Sequence, residues 1–178
     1  LVKSLVLAEP PVITLFVDNT PTPGQLLRLL VTRPRTAAAI VRFGALGVGP
    51  AARAFRRGEA EKGATIFGRA VLGRRRVSRM SESRRAQVAD NLSNIQAEVL
   101  GSGFLPLDEE RLRGLRVPVL LLTGQRSVSL FHRLSERLAE LLPQVEQVEI
   151  PEASHLMPED NPRAFNAAVR NFLDRQRV

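Results

Sequence analysis

Three short apolar runs have the pattern of buried β-strands. They are residues 2–8 (VKSLVLA), residues 119–123 (VLLLT) and residues 144–150 (QVEQVEI). The first two are rich in Leu and Val on both faces, which is typical of strands inside a parallel sheet. Pro10 and Gly124 follow these two runs and open turns. We therefore predict three strands at these positions.

Helical spacing fills most of the remaining chain. Apolar residues three or four apart recur through residues 21–112, in segments that end at Gly or Pro. These segments are residues 23–32, 34–46, 49–58, 59–73 and 81–103. A further helix is predicted from residue 129 to Pro143, and a last one begins with Asn161 as N-cap and Pro162 in the first helical position.

The order of these elements predicts an α/β fold. Strand, all-helical insertion, strand, helix, strand and helix follow one another, which favours three parallel strands joined by right-handed crossover helices. Functional groups of an open parallel sheet gather beyond the carboxyl ends of its strands. Three loops meet that edge: residues 9–11, 124–127 and 152–158.

Composition narrows the class of protein. A chain of 178 residues with 44% hydrophobic residues is long enough for one core with one insertion. No cysteine is present and the two histidines are far apart in sequence, so we expect neither a disulfide nor a bound metal or other cofactor. Without an apolar run of membrane-spanning length, a soluble cytoplasmic protein with no membrane partner is expected.

The net charge of +8 raises the question of an acidic partner. Arginines supply nearly all of the excess, with one cluster at Gly73 to Arg85, and the chain has no Tyr or Trp to stack on bases. We interpret the cluster as solvated surface and expect a small-molecule substrate rather than a specific nucleic acid.

Glu9 and His155 are the candidate chemical pair. Glu9 follows the first strand and His155 lies in the loop after the third, so both fall at the same edge of the sheet. An imidazole held by a carboxylate is a general base. A single loop histidine is otherwise a hydrogen-bonding surface residue, and position alone leaves the two interpretations nearly even.

Residues 117–173 resemble the C-terminal portion of the α/β-hydrolase fold, with its last two strands, the helix between them, the histidine loop and the closing helix. The specific element is the turn Glu152-Ala153-Ser154-His155, followed by a proline and an amphipathic helix. The resemblance implies that residues 1–11 and 113–178 form the hydrolase core, and that residues 12–112 form a helical cap.

By this resemblance His155 matches the catalytic base. Most members place the acid in a Gly-x-x-Asp turn, where this chain has Ser127. Some members, including the haloalkane dehalogenase branch, take the acid from the end of the preceding strand. The residue at that position in this chain is Glu9, which we assign as the acid partner of His155. Asp18 is a weaker rival, and the carboxylates at 159 and 160 are assigned to the solvated start of the last helix.

An apolar pocket is predicted beside the base. Leu156 and Met157 either line it or pack under the cap, and Phe16 either belongs to the apolar underside of the cap or packs against the core. Such a pocket suits a small apolar acyl substrate.

The sequence lacks the motif that carries the nucleophile of this family. No G-x-S-x-G elbow occurs, and the chain begins at Leu1 in what looks like the middle of a strand. We expect a fragment that is inactive alone, with its nucleophile upstream. The leading function is ester or acyl hydrolysis by a Ser-His-acid triad. The alternatives are an Asp-nucleophile dehalogenase or epoxide hydrolase and a non-catalytic binding module. The sequence leaves the substrate and the oligomeric state open.

Overall fold

The computed structural model describes residues 2–176, which divide into two compact units. Within the described residues, the sheet unit comprises residues 2–18 and 104–176, and the helical unit comprises Asn19–Gly103.

The elements follow the chain in this order: β1 (Leu5–Ala8), a 3₁₀ helix (Ile13–Leu15), α1 (Pro23–Thr32), α2 (Pro34–Phe43), a π-helix (Gly44–Val48), α3 (Gly49–Arg56), α4 (Ala60–Leu72), α5 (Arg74–Ser78), α6 (Glu82–Asp90), α7 (Leu92–Leu100), α8 (Glu109–Arg113), β2 (Val119–Gly124), α9 (Ser129–Leu141), β3 (Val145–Ile150), α10 (Met157–Asp160) and α11 (Pro162–Arg175).

The three strands form one parallel sheet in the order β1-β2-β3. Val119 of β2 is in register with Leu5 of β1 and with Val145 of β3. The α/β class with three parallel strands, predicted from the sequence, is therefore confirmed. The first strand is shorter than predicted, because the ladder begins at Leu5.

Apolar residues cover the central strand on both faces. Leu120 and Leu122 are buried with Ile150, Met157 and Phe172 in one cluster. Leu121 points to the opposite side of the pleated strand and is also buried, and α9 contributes a buried apolar face beginning at Leu130. Each such side chain stabilises the fold by about 1.5–3 kcal/mol, so β2 is a rigid support for the loop that follows it.

The start of α11 agrees with the sequence prediction. The Asn161 side chain accepts a hydrogen bond from the backbone N–H of Ala164 at 3.1 Å, and Pro162 occupies the first helical position.

Two boundaries in the helical unit differ from the predictions. The predicted break between the segments 34–46 and 49–58 is absent, because Gly44 and Gly49 keep right-handed helical dihedrals and the π-helix joins α2 to α3. The predicted single helix over residues 81–103 is instead two helices, separated at Asn91, whose φ of −107° and ψ of 13° leave the helical range.

The helical unit has its own core. Ala51, Phe55 and Ala64 are buried together, with partly buried side chains from α4 and α7 packed around them. Among residues 2–176, no helix has both the length and the apolar character needed to cross a membrane.

Candidate active site

Glu9 is a fully buried carboxylate at the carboxyl end of β1. Its backbone N–H continues the ladder by donating to the Leu122 carbonyl at 3.0 Å, and its φ of 44° then turns the chain into the left-handed region. That conformation costs a non-glycine residue about 1–2 kcal/mol. The surrounding contacts therefore hold Glu9 in a backbone conformation that it would not adopt by itself.

The two carboxylate oxygens of Glu9 have different partners. Oε1 accepts a hydrogen bond from the backbone N–H of Gly124 at 2.8 Å, and Oε2 lies 2.7 Å from Nδ1 of His155. A buried carboxylate is expensive unless it is hydrogen-bonded, and both oxygens meet that requirement. The sheet thus brings together the two residues that the sequence proposed as a pair.

Nε2 is the ring nitrogen of His155 that does not contact Glu9. With Nδ1 facing the Glu9 carboxylate, the favoured tautomer carries the proton on Nδ1 and leaves Nε2 as an acceptor. The His155 side chain retains 26% of its exposure, whereas that of Glu9 retains none. The carboxylate is therefore shielded from water while the imidazole is still accessible.

Phe131, near the start of α9, packs against the imidazole. Its ring centroid lies 4.1 Å from that of His155, and the planes are 13° apart. This stacked ring limits rotation of the imidazole away from Glu9. The sequence does not reveal this contact, because helical spacing does not indicate which residue lies against Phe131.

Gly124 brings the loop after β2 close to the histidine loop. A Cβ atom at Gly124 would lie 2.4 Å from the carbonyl oxygen of Ser154 and 2.7 Å from that of Ala153. The absence of a side chain therefore permits the close approach of the two loops. The sequence indicated only a turn at Gly124.

The structure corrects the sequence interpretation of Asp160, which assigned this residue to the solvated start of the last helix. It ends α10, is partly buried, and accepts hydrogen bonds from Ser154 through both the backbone N–H, at 2.8 Å, and the hydroxyl, at 2.5 Å. The reason for the difference is α10 itself. This single helical turn was not predicted, and it directs Asp160 back toward the loop.

Ser127 occupies the position at which most members of the family that the sequence resembles carry the acid. Its side chain is uncharged. Ser127 donates its backbone N–H to the Gly124 carbonyl, and its buried Oγ has no hydrogen-bond partner within residues 2–176. Glu9 is instead the carboxylate that faces His155, and the rival Asp18 is exposed.

The three predicted pocket residues differ in exposure. Leu156 and Phe16 are half-buried, while Met157 is fully buried in the core cluster with Leu122 and Phe172. The packing of Met157 favours a supporting role beneath the histidine loop over a place in the wall of a pocket.

The site is suited to proton transfer. A buried carboxylate that holds one imidazole nitrogen orients the ring so that the other nitrogen can accept a proton. Across residues 2–176, no three or more His, Cys, Asp or Glu side chains are grouped so that they could hold a metal ion.

Comparisons with known proteins identify the fold and the family of the chain. Two solved structures share the fold: MenH from S. aureus, with a TM-score of 0.64 and 14% identity, and proline iminopeptidase from Mycobacterium smegmatis, with a TM-score of 0.55 and 19% identity. The matches cover 99% and 97% of this chain but 60% and 57% of those chains, so the chain spans about three fifths of their length.

No curated protein sequence matches the chain. The sequence pattern of one family, described as the Alpha/beta hydrolase family, matches residues 1–168. That match includes both Glu9 and His155, together with the strands that position them. The chain belongs to the alpha/beta hydrolase family.

Proposed function

We propose that the protein hydrolyses an ester or related acyl bond of a small apolar substrate, with His155 as general base and Glu9 as its acid partner. The observation that carries the proposal is the 2.7 Å contact between His155 Nδ1 and the buried Glu9 carboxylate. A carboxylate that is fixed by a backbone N–H and directed at an imidazole forms the acid–histidine part of a hydrolytic triad, in which the acid orients the base.

The proposed reaction runs through His155 Nε2. This nitrogen takes the proton of a serine hydroxyl, and the serine oxygen attacks the acyl carbon to form a tetrahedral intermediate. The imidazolium then protonates the leaving alkoxide as the bond to it breaks. In the second half, Nε2 activates a water molecule in the same way and returns the proton to the serine. Glu9 stays ionised throughout and stabilises the imidazolium.

The serine would come from a part of the protein outside these 178 residues, because the chain contains no G-x-S-x-G sequence. The chain supplies the base, the acid and their supporting loops. We therefore expect turnover from the whole protein and little or none from this chain alone.

An aspartate nucleophile is the second candidate. It is favoured by the position of the acid, since Glu9 follows β1 while the turn after β2 carries the uncharged Ser127. In this chemistry an upstream Asp displaces a halide or opens an epoxide, and His155 activates the water that hydrolyses the resulting ester. The pair Glu9–His155 keeps the same roles.

The experiment compares two histidine variants of the whole protein. Hydrolysis of short-chain p-nitrophenyl esters should fall by at least about 10³ in His155→Gln, because the general base is lost. His132→Gln, at the other histidine of the chain, is the matched control and should retain activity. Equal activity of His155→Gln and the wild type would exclude His155 as the base.

A single turnover in H₂¹⁸O separates the two nucleophiles. A serine route leaves the label in the released acid, whereas an aspartate route leaves it in a carboxylate of the protein. If the wild-type protein binds esters, haloalkanes and epoxides without turning any of them over, the third candidate, a binding module, replaces both enzymatic proposals.

A further inference from the structure

Asp160 is tied to the loop that carries His155. One of its carboxylate oxygens, Oδ2, accepts both the backbone N–H and the hydroxyl of Ser154, which directly precedes His155. Ser154 is 6% exposed, so these bonds are formed largely out of water. Hydrogen bonds to a charged acceptor are roughly twice as strong as neutral ones.

The Ser154 hydroxyl also forms a hydrogen bond with the residue that follows His155. Ser154 Oγ accepts the backbone N–H of Leu156 at 3.3 Å while donating to Asp160. The residue before His155 and the residue after it are therefore connected to one carboxylate. Rotation of the peptide group between His155 and Leu156 would break the bond that the Leu156 N–H donates to the Ser154 hydroxyl.

The turn of α10 completes the attachment. Asp160 donates its own backbone N–H to the Leu156 carbonyl at 3.0 Å, and the Asn161 side chain donates to the Pro151 carbonyl at 3.0 Å. Both ends of the loop, residues 151–156, are thus bonded to the segment 160–161.

We infer that Asp160 is a positioning residue for His155, which acts through Ser154 to hold the imidazole at its 2.7 Å distance from Glu9. The inference rests on the proposed function of the Glu9–His155 pair and adds the group that orients it. Asp160 does not take part in proton transfer. Its carboxylate fixes the backbone, and the fixed backbone sets the direction of the ring.

The test is nuclear magnetic resonance of this chain labelled with ¹⁵N-histidine. Only two histidines are present, so His155→Gln assigns the signals. In the wild type, the proton on His155 Nδ1 should resonate far downfield and exchange slowly, because it is bonded to a buried carboxylate. In Asp160→Ala, that proton should exchange at least about 10-fold faster or disappear, while the thermal melt shows a folded chain.

Two further variants make the result specific. Ser154→Ala removes the hydroxyl but keeps the backbone donor, and it should cause a smaller acceleration than Asp160→Ala. Glu149→Ala removes an exposed carboxylate from β3 and is the charge-matched control, with unchanged exchange. In the whole protein, Asp160→Ala should lower kcat by about 10–100-fold with little change in KM, as expected for misplacement of a catalytic group.

The outcomes separate this inference from the proposed function. A slowly exchanging Nδ1 proton in the wild type that is unchanged in Asp160→Ala would overturn the positioning role and leave the proposed function intact. If Asp160→Ala does not fold, unchanged exchange in Ser154→Ala has the same meaning. Absence of the protected proton in the wild type would overturn the inference together with the Glu9–His155 pair on which it rests.

Discussion

Nδ1 of His155 lies 2.7 Å from Oε2 of Glu9, although 146 residues separate the two in the chain. The contact arises because β1 and β3 both run parallel to β2 and end at the same edge. Gly124, at the end of β2, completes it by donating to the other oxygen of Glu9. The residue after β1, the last residue of β2 and the loop after β3 therefore each contribute one group to a single hydrogen-bonded arrangement.

Glu9→Gln should lower kcat of the whole protein by about 10⁴ while the fold is kept. The amide oxygen can still accept from Gly124, but the amide NH₂ would face Nδ1 and favour the tautomer with the proton on Nε2. That tautomer cannot accept the proton of a nucleophile. Steady-state kinetics and a thermal melt measure the two effects.

The control for this change is Glu152→Gln. Glu152 lies in the same loop as His155 but is exposed and pairs with Arg126. Its loss should leave kcat within a few-fold of the wild type. Comparable activity of Glu9→Gln and Glu152→Gln would show that Glu9 is not the acid.

Gly124→Ala should destabilise the chain by about 1–3 kcal/mol, the usual cost of overpacking. The new methyl group would lie 2.4 Å from the Ser154 carbonyl oxygen and force the histidine loop away. Chemical denaturation measures the free energy of unfolding.

Gly44→Ala makes the same chemical change in open space, since nothing lies within 4 Å of the new methyl group and φ is −64°. It should stabilise the chain by about 0.5–1 kcal/mol. Equal effects of Gly44→Ala and Gly124→Ala would contradict the close approach of the two loops.

Glu109→Gln should reduce stability at neutral pH and have a smaller effect in acid. A hydrogen bond from Arg137, aided by Arg113, lowers the pKa of the Glu109 carboxyl below its ordinary value of 4.5. The folded state thus favours the charged form, and this contribution is complete above pH 4.5 and is lost as the pH falls through the lowered pKa.

The magnitude at pH 7 should be about 0.5 kcal/mol, because the pair is partly exposed. Urea unfolding of the wild type and Glu109→Gln at pH 7 and at pH 3 measures the difference. Glu110→Gln, at the exposed neighbour, is the control and should change the free energy of unfolding at pH 7 by less than Glu109→Gln does. A difference that grows in acid would reverse the assigned sign.

The sequence by itself determined the α/β class, the three strands and the start of α11. These features depend on local patterns: apolar runs bounded by Pro and Gly, helical spacing, and Asn161 before Pro162. The pair Glu9 and His155 was also within reach of the sequence, because the ends of parallel strands meet at one edge.

Only the tertiary structure decided which groups support that pair. Phe131 stacks on His155, Gly124 packs against the histidine loop, and Asp160 bonds to Ser154. Each of these contacts brings together groups from separate elements or loops. Hydrophobic periodicity and spacing place a residue on one face of a helix or strand, or at one edge of the sheet. They do not fix the direction of a side chain or the approach of two loops, which the packing of the whole sheet unit sets.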